Sequence, residues 1–276
     1  FLEMFLDAKK IEGCSERTLQ YYRVTVEHLL SQMGNSVRKV TTEEIRTYLA
    51  DYQKNSNCSN VTIDNIRRNI SSFFSWLEEE DYILKSPMRR IHKIKTKTVV
   101  KNTISDESIE KLRDHCTEIR DLAIIDLLYS TGIRVGELVN LNIDDIDLEG
   151  RECIVYGKGD KERRVYFDAK AKVHLKEYIE GRKDENKALF VTLDAPYDRL
   201  KISGVEIRLR QLGRKLDLEK IHPHKFRRTM ATRAIDKGMP IEQVQKILGH
   251  SQIDTTMQYA MVNQNNVKTS HQKYMS

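Results

Sequence analysis

The chain has 276 residues, of which 32% are charged and 39% apolar, and its formal net charge is +6. That length favours two domains with cores of their own, no apolar run approaches a membrane span, and no secretory signal is visible, so no membrane partner is expected. Cys14, Cys58, Cys116 and Cys153 stand far apart with no Cys-x-x-Cys pair, which argues against a zinc site or disulfide framework and fits a reducing cytoplasm.

The chain opens on Phe1 rather than Met, and the expectation is a trimmed sequence with a segment upstream. Up to about residue 88 every segment reads as helix. Leu2, Phe5 and Leu6 sit at helical spacing in the opening stretch. Ser15 is placed to cap a second helix with apolar positions Leu19, Tyr22, Val26, Leu29 and Met33. Thr41-Thr42-Glu43-Glu44 reads as a capping box ahead of Ile45, Tyr48, Leu49 and Tyr52. From about Asn60 a further helix carries Ile63, Ile66, Ile70, Phe73, Phe74 and Leu77. Four short amphipathic helices predict a small bundle, with the Tyr and Phe stripe and Trp76 in its core rather than stacked on bases. Lys85-Ser86-Pro87 ends this domain.

Residues 89–101 hold six of the 47 Lys and Arg residues and no acid. Set aside, they leave 41 basic residues against 41 acidic ones, so the whole surplus of charge lies in one short segment. A solvated linker and a strip lying along a polyanion both fit; the second makes Lys93, Lys95 and Lys97 candidate DNA contacts.

Beyond it, Ser105-Asp106-Glu107-Ser108 starts a helix with its acids in the first turn, and residues 121–129 form a strongly apolar one. Thr131-Gly132-Ile133-Arg134-Val135-Gly136-Glu137 follows. An arginine beside a buried helix is costly unless paired, and Glu137 is its natural partner. Residues 152–167 read as a hairpin around Gly157-Lys158-Gly159-Asp160, too short for a phosphate-binding loop of the nucleotide-triphosphatase kind. Helices are predicted at about 169–180, ended by Gly181, and at about 203–216, with Leu189-Phe190-Val191 as a short buried strand.

Residues 222–259 concentrate the chemistry. On a helix opened by Pro223, His224 and Arg227 share one face near the N-terminus, where backbone N–H groups and the helix dipole favour an anion such as phosphate. Met239-Pro240 marks another helix start and Gly249 its stop, which leaves His250 in the turn beyond. Thr255-Thr256-Met257-Gln258-Tyr259 follows, with Tyr259 nine residues after His250. Residues 261–276 are polar and too sparse in apolar side chains to build a core, so this tail is either frayed or docked on something else.

The ordered set His-x-x-Arg, Leu-Gly-His and Thr-Thr-x-x-Tyr resembles the C-terminal signature of the tyrosine recombinases, the lambda-integrase family, and Thr-Gly-Ile-Arg-Val-Gly-Glu matches a further motif of that family. The resemblance covers nearly the whole chain and departs from the usual pattern at Phe226 and Arg228. It implies a mainly α (α+β) fold: an N-terminal four-helix SAM-like core DNA-binding domain over 1–88, a basic linker over 89–102, and a mostly helical catalytic domain with a small antiparallel sheet over 103–276. It also implies a catalytic set of Arg134, Lys158, His224, Arg227, His250 and Tyr259. Tyr259 is the nucleophile that leaves a 3′-phosphotyrosine, and Lys158 protonates the departing 5′ oxygen. With two arginines and a lysine meeting the phosphate, neither metal nor cofactor is required. The implied partners are double-stranded DNA with recombination sites and further copies of the chain, four on two sites with exchanged tails, in the cytoplasm with the nucleoid. An integrase or invertase of a mobile element, a Xer-like chromosome-dimer resolvase, a type IB topoisomerase and a catalytically silent DNA-binding protein all stay open, the recombinases leading.

Overall fold

Short hydroxyl side chains at the helix starts frame the first part of the chain. The structure, a computed structural model, describes residues 1–34, 36–96, 102–157 and 162–260, with the backbone alone at Asp254 and Ala260. It divides into two compact units, Phe1–Val99 and Val100–Ser276.

The first unit holds α1 (Leu2–Ile11), α2 (Glu16–Gln32), α3 (Thr42–Ser56) and α4 (Asn60–Glu79). Ser15 caps α2 and Ser59 caps α4, each accepting a backbone N–H at 3.3 Å. At α3 the expected box is complete: Thr41 Oγ1 accepts from Glu44 N at 3.3 Å, and Glu44 takes the Thr41 N–H at 2.7 Å. Each such cap is worth about 1 kcal/mol. The apolar stripes meet in a core of Phe5, Val26, Leu29, Ile45, Ile70, Phe73, Phe74 and Leu77, and Trp76 lies against the Phe5 ring. The aromatic stripe is core. The chain stays on this core past Pro87. A short 3₁₀ turn, Pro87–Arg90, buries Met88, and Ile91 and Ile94 pack after it. Ile94 N donates to Asp64 Oδ1 at 3.0 Å, and Asn60 Nδ2 donates to the Lys95 carbonyl at 3.0 Å. Lys93 and Lys95 are thereby left facing solvent.

The second unit runs α5 (Asp106–Asp114), α6 (Ile119–Thr131), α7 (Val135–Asn140), β1 (Ile146–Asp147), β2 (Glu152–Tyr156), β3 (Glu162–Tyr166), α8 (Ala169–Glu180), α9 (Ile202–Lys215), α10 (Pro223–Asp236), α11 (Ile241–Leu248) and α12 (Ile253–Ala260). The sheet is antiparallel in the order β1-β2-β3, with Cys153 opposite Val165 and Val155 opposite Arg163. α6 is buried on nearly every face, as its apolar composition predicts, and packs against α8 and α10. The predicted strand at Leu189-Phe190-Val191 is buried but is not a strand. Single bridges join Ala188 to Asn142 and Val191 to Arg199, and no ladder propagates. The neighbouring backbone on both sides is irregular there, so successive N–H and C=O groups find no extended partner.

Candidate active site

The site is built where three helix ends meet. α6 stops at Gly132, whose φ of +64° is left-handed, and a Cβ there would lie 2.5 Å from Met230 Cε on α10. The left-handed backbone is what favours glycine here, while Met230 Cε, the far end of a flexible side chain, packs over it. Two residues on, Arg134 sits at the N-cap of α7. Glu137 accepts the Arg134 backbone N–H at 2.7 Å and its Nη1 at 2.8 Å, the pairing expected from the sequence. Glu137 is nearly sealed, whereas 38% of the Arg134 side chain is open. A second guanidinium closes on the same carboxylate: Arg163 donates to both Glu137 oxygens, at 2.8 and 2.7 Å. Burial pushes the Glu137 carboxyl up, but the hydrogen bonds from Arg163 and the Arg134 backbone outweigh it and hold the group below the usual carboxylate range.

α10 begins with His222 as N-cap and Pro223 in its first turn, and Arg227 is buried one turn in. Its guanidinium donates to the Gly132 carbonyl at 2.8 Å and the Leu248 carbonyl at 2.6 Å. Both acceptors belong to the last turns of helices, which leave carbonyls unpaired and carry partial negative charge. Burial first, then the neighbouring Arg134, lowers its pKa to about 10, so Arg227 stays charged at neutral pH. α11 ends in the same way at Gly249, φ +64°. Arg134 reaches this turn as well, with Nη2 3.3 Å from the Gly249 carbonyl.

His250 follows in the turn. Arg227 Nη2 lies 2.9 Å from His250 Nε2, and His250 Nδ1 lies 2.8 Å from Thr256 Oγ1. A guanidinium only donates, so Nε2 accepts and the proton of the neutral ring sits on Nδ1, directed at Thr256. Burial, then Arg227, Arg134 and Arg163, lowers the His250 pKa to about 4. His224 keeps part of its ring open on the face of α10; its partial burial, with Arg227 and Arg134, lowers its pKa as well. Both imidazoles are neutral at pH 7. On α12, Thr256 is fully buried, and Tyr259 packs against Ala231, Val244 and Leu248 with its ring stacked on His250, centroids 6.1 Å apart.

Arg134, Arg227, His250 and Tyr259 therefore gather around the turn after α11, with His224 within electrostatic reach of both arginines. Lys158 and Lys97 lie outside the described residues. Two residues of the site went unread in the sequence. Arg163 shares the inward face of β3 with Val165, a signal that strand alternation carries. Thr256 had only its place one turn before Tyr259. Arg228, where the family often has histidine, is half-buried, and its Nε has no hydrogen-bond partner among the described residues. Among those residues no group of three or more His, Cys, Asp or Glu is arranged to hold a metal ion, and no helix is long and apolar enough to cross a membrane.

A mostly helical fold with one small antiparallel sheet, bearing two arginines, a histidine and a tyrosine around one turn and a second histidine within electrostatic reach of both arginines, fits the tyrosine recombinase class. The chain belongs to the phage integrase family, whose sequence pattern matches residues 96–266, while the pattern of the phage integrase N-terminal SAM-like domain matches residues 1–84. It is 30% identical to Tyrosine recombinase XerC of Oceanobacillus iheyensis over 99% of this chain and 95% of that protein. It is 28% identical to Tyrosine recombinase XerA of Saccharolobus solfataricus over 99% of this chain and 91% of that protein. Among solved structures, a XerA recombinase crystal structure aligns over 100% of this chain and 98% of that one, with TM-score 0.58 and 27% identity. The fold also matches the Tn1549 transposon integrase in complex with transposon right end DNA, with TM-score 0.81 and 19% identity over 100% of this chain and 99% of that one.

Proposed function

We propose that the chain is a site-specific DNA recombinase that cuts and rejoins strands through Tyr259. The Tyr259 hydroxyl loses its proton to a base, with neutral His224 in that role, and its oxygen bonds to phosphorus. The bond from phosphorus to the 5′ oxygen breaks, Lys158 protonates that oxygen, and a 3′-phosphotyrosine remains. A phenol in water releases its proton only near pH 10, which is why a base is needed. A phenolate is also a good leaving group, so an incoming 5′ hydroxyl reverses the step and no energy source is consumed. Arg134 and Arg227 meet the charge on the non-bridging oxygens, and His250 adds a hydrogen bond when the phosphate raises its proton affinity.

One observation carries this reading. Arg227 is buried, charged and bonded to carbonyls with no carboxylate partner among the described residues, beside a turn that also gathers Arg134, His250 and Tyr259. A site so biased wants an anion. Residues 1–88 form the core-binding domain in this reading, 89–102 a basic linker along the DNA, and 103–276 the catalytic domain, whose tail docks on a neighbouring copy in a ring of four. A DNA substrate places the protein with the nucleoid in the cytoplasm. Use in integration, excision or inversion of a mobile element is the first biological reading. The near full-length match to proteins named XerC and XerA favours a second, resolution of chromosome dimers. Attachment-site repeats beside the gene would identify the first.

The test is incubation with nicked, site-bearing DNA, followed by a denaturing gel. The wild-type protein should leave a covalent adduct, in excess chelator as well, and Tyr259→Phe should bind the same DNA without forming one. An adduct from the Phe variant would move the nucleophile elsewhere.

A further inference from the structure

We infer that Arg163 is a positioning residue that keeps the charge of Arg134 available to the phosphate, an inference that rests on the recombinase reading above. The ground is the sharing of one carboxylate by two arginines. Glu137 is 4% exposed at its side chain, Arg163 13% and Arg134 38%. Only Arg134 faces outward. Were Glu137 paired with Arg134 alone, the two would form a neutral unit in a poorly screened setting, and the guanidinium would offer an arriving phosphate little net attraction. Arg163 changes that balance. It occupies both Glu137 oxygens in the bidentate geometry that guanidinium and carboxylate favour, and the trio carries one net positive charge. Arg134 then gives the carboxylate only Nη1 from its side chain, its Nη2 reaches the Gly249 carbonyl at 3.3 Å, and 38% of the side chain stays open.

A second hydrogen bond ties Arg163 to the same site. Its Nε donates to the Ile247 carbonyl at 2.9 Å, in the last turn of α11. A Cβ at Gly249 would come within 3.0 to 3.2 Å of the Arg163 Cδ, Nε and Cζ atoms, so the guanidinium lies directly against the turn that presents His250. One inward-facing side chain on β3 therefore braces both the carboxylate behind Arg134 and the backbone before His250. Its hydrogen bonds among the described residues go to Glu137 and the Ile247 carbonyl, and 13% of its side chain is open against 38% of the Arg134 side chain.

Charge sharing makes a prediction that simple bracing does not. Arg163→Met should slow single-turnover cleavage of saturating DNA by about tenfold or more, a fraction of the hundredfold typical of removing a direct oxyanion donor. Adding Glu137→Gln to Arg163→Met removes the carboxylate that would neutralise Arg134, and a glutamine oxygen can still accept the Arg134 backbone N–H. The double variant should cleave at least about threefold faster than Arg163→Met alone, with affinity for DNA unchanged across the set. If Arg163→Met is unfolded by circular dichroism, Arg163→Gln, which keeps hydrogen-bond donors but no charge, takes its place, and Glu137→Gln should speed it likewise. Cleavage by Arg163→Met within twofold of wild type, or a double variant no faster than its parent, would overturn the assignment. Adduct formation by the wild-type protein and its absence in Tyr259→Phe are read on the same gel, so failure of the recombinase reading is seen separately.

Discussion

The two units treat buried charge in opposite ways. Among the described residues of the first, Asp64 is the one charged side chain held in the interior, and it spans two backbone elements by bonding Arg67 and the Ile94 N–H. The second buries Arg120, Asp121, Asp126, Glu137, Lys225 and Arg227. Most of these have an ion partner: Asp121 has Arg120 and Arg208, Asp126 has Arg113, Lys225 has Glu219, and Glu137 has two arginines. Arg227 has helix-end carbonyls instead. Burying a charge without a counterion costs several kcal/mol, and a domain stabilised only by apolar packing has no use for one. If Arg227 meets a phosphate as proposed, the second unit gives up stability to keep that positive charge available, a cost the first unit does not carry.

The widest way to break that contrast is a cavity in the first unit. Phe73 is fully buried there, and Phe73→Ala should lower stability by about 3–5 kcal/mol. Denaturant titration should show the earlier transition, while cleavage per molecule of bound protein stays near wild type. In the second unit the balance reverses. Arg227→Ala should cost cleavage about a hundredfold or more, and Arg134→Ala a similar factor. Unfolding midpoints measured beside adduct formation should show that Arg227→Ala loses far more activity than stability, since the charge removed was itself costly to bury. Equal losses would make Arg227 a structural residue.

Smaller effects sharpen the comparison at the edge of the first unit. Replacing Lys93, Lys95 and Lys97 by Gln should lower the slope of log affinity against log salt by about 0.9 for each phosphate no longer neutralised. An unchanged slope would return the basic run to a solvated tether. The smallest effect is in pH. His250, with its pKa near 4, and His224, also lowered, stay neutral in the folded protein, whereas in the unfolded chain each takes up a proton near pH 6.5. Protons thus favour the unfolded state as pH falls from about 6.5 toward 4, so stability declines across that window and is fully present above it. Thermal melts at a series of pH values should show the decline, and His250→Gln should flatten it.

The helices of the first unit were legible because their causes are local. Ser15, the Thr41-to-Glu44 box and Ser59 cap groups three residues away, and apolar spacing marks the faces that pack. The pairing of Arg134 with Glu137 was legible for the same reason, one helical turn separating them. The strand expected at Leu189-Phe190-Val191 failed because apolar composition marks burial but does not supply an extended neighbour. The placing of Arg227 was beyond local reading. Its partners are the Gly132 carbonyl, 95 residues away, and the Leu248 carbonyl, 21 away. Motif order could group Arg134, Arg227, His250 and Tyr259 as members of one site, but not say that two helix ends would supply the carbonyls that hold the second arginine. Nor could it say that Arg163 would reach Glu137 across 26 residues, or that Thr256 would orient His250. Residue types and short spacings are properties of the chain; which carbonyl faces which guanidinium depends on how α6, α10 and α11 pack, and that is decided by the whole core at once.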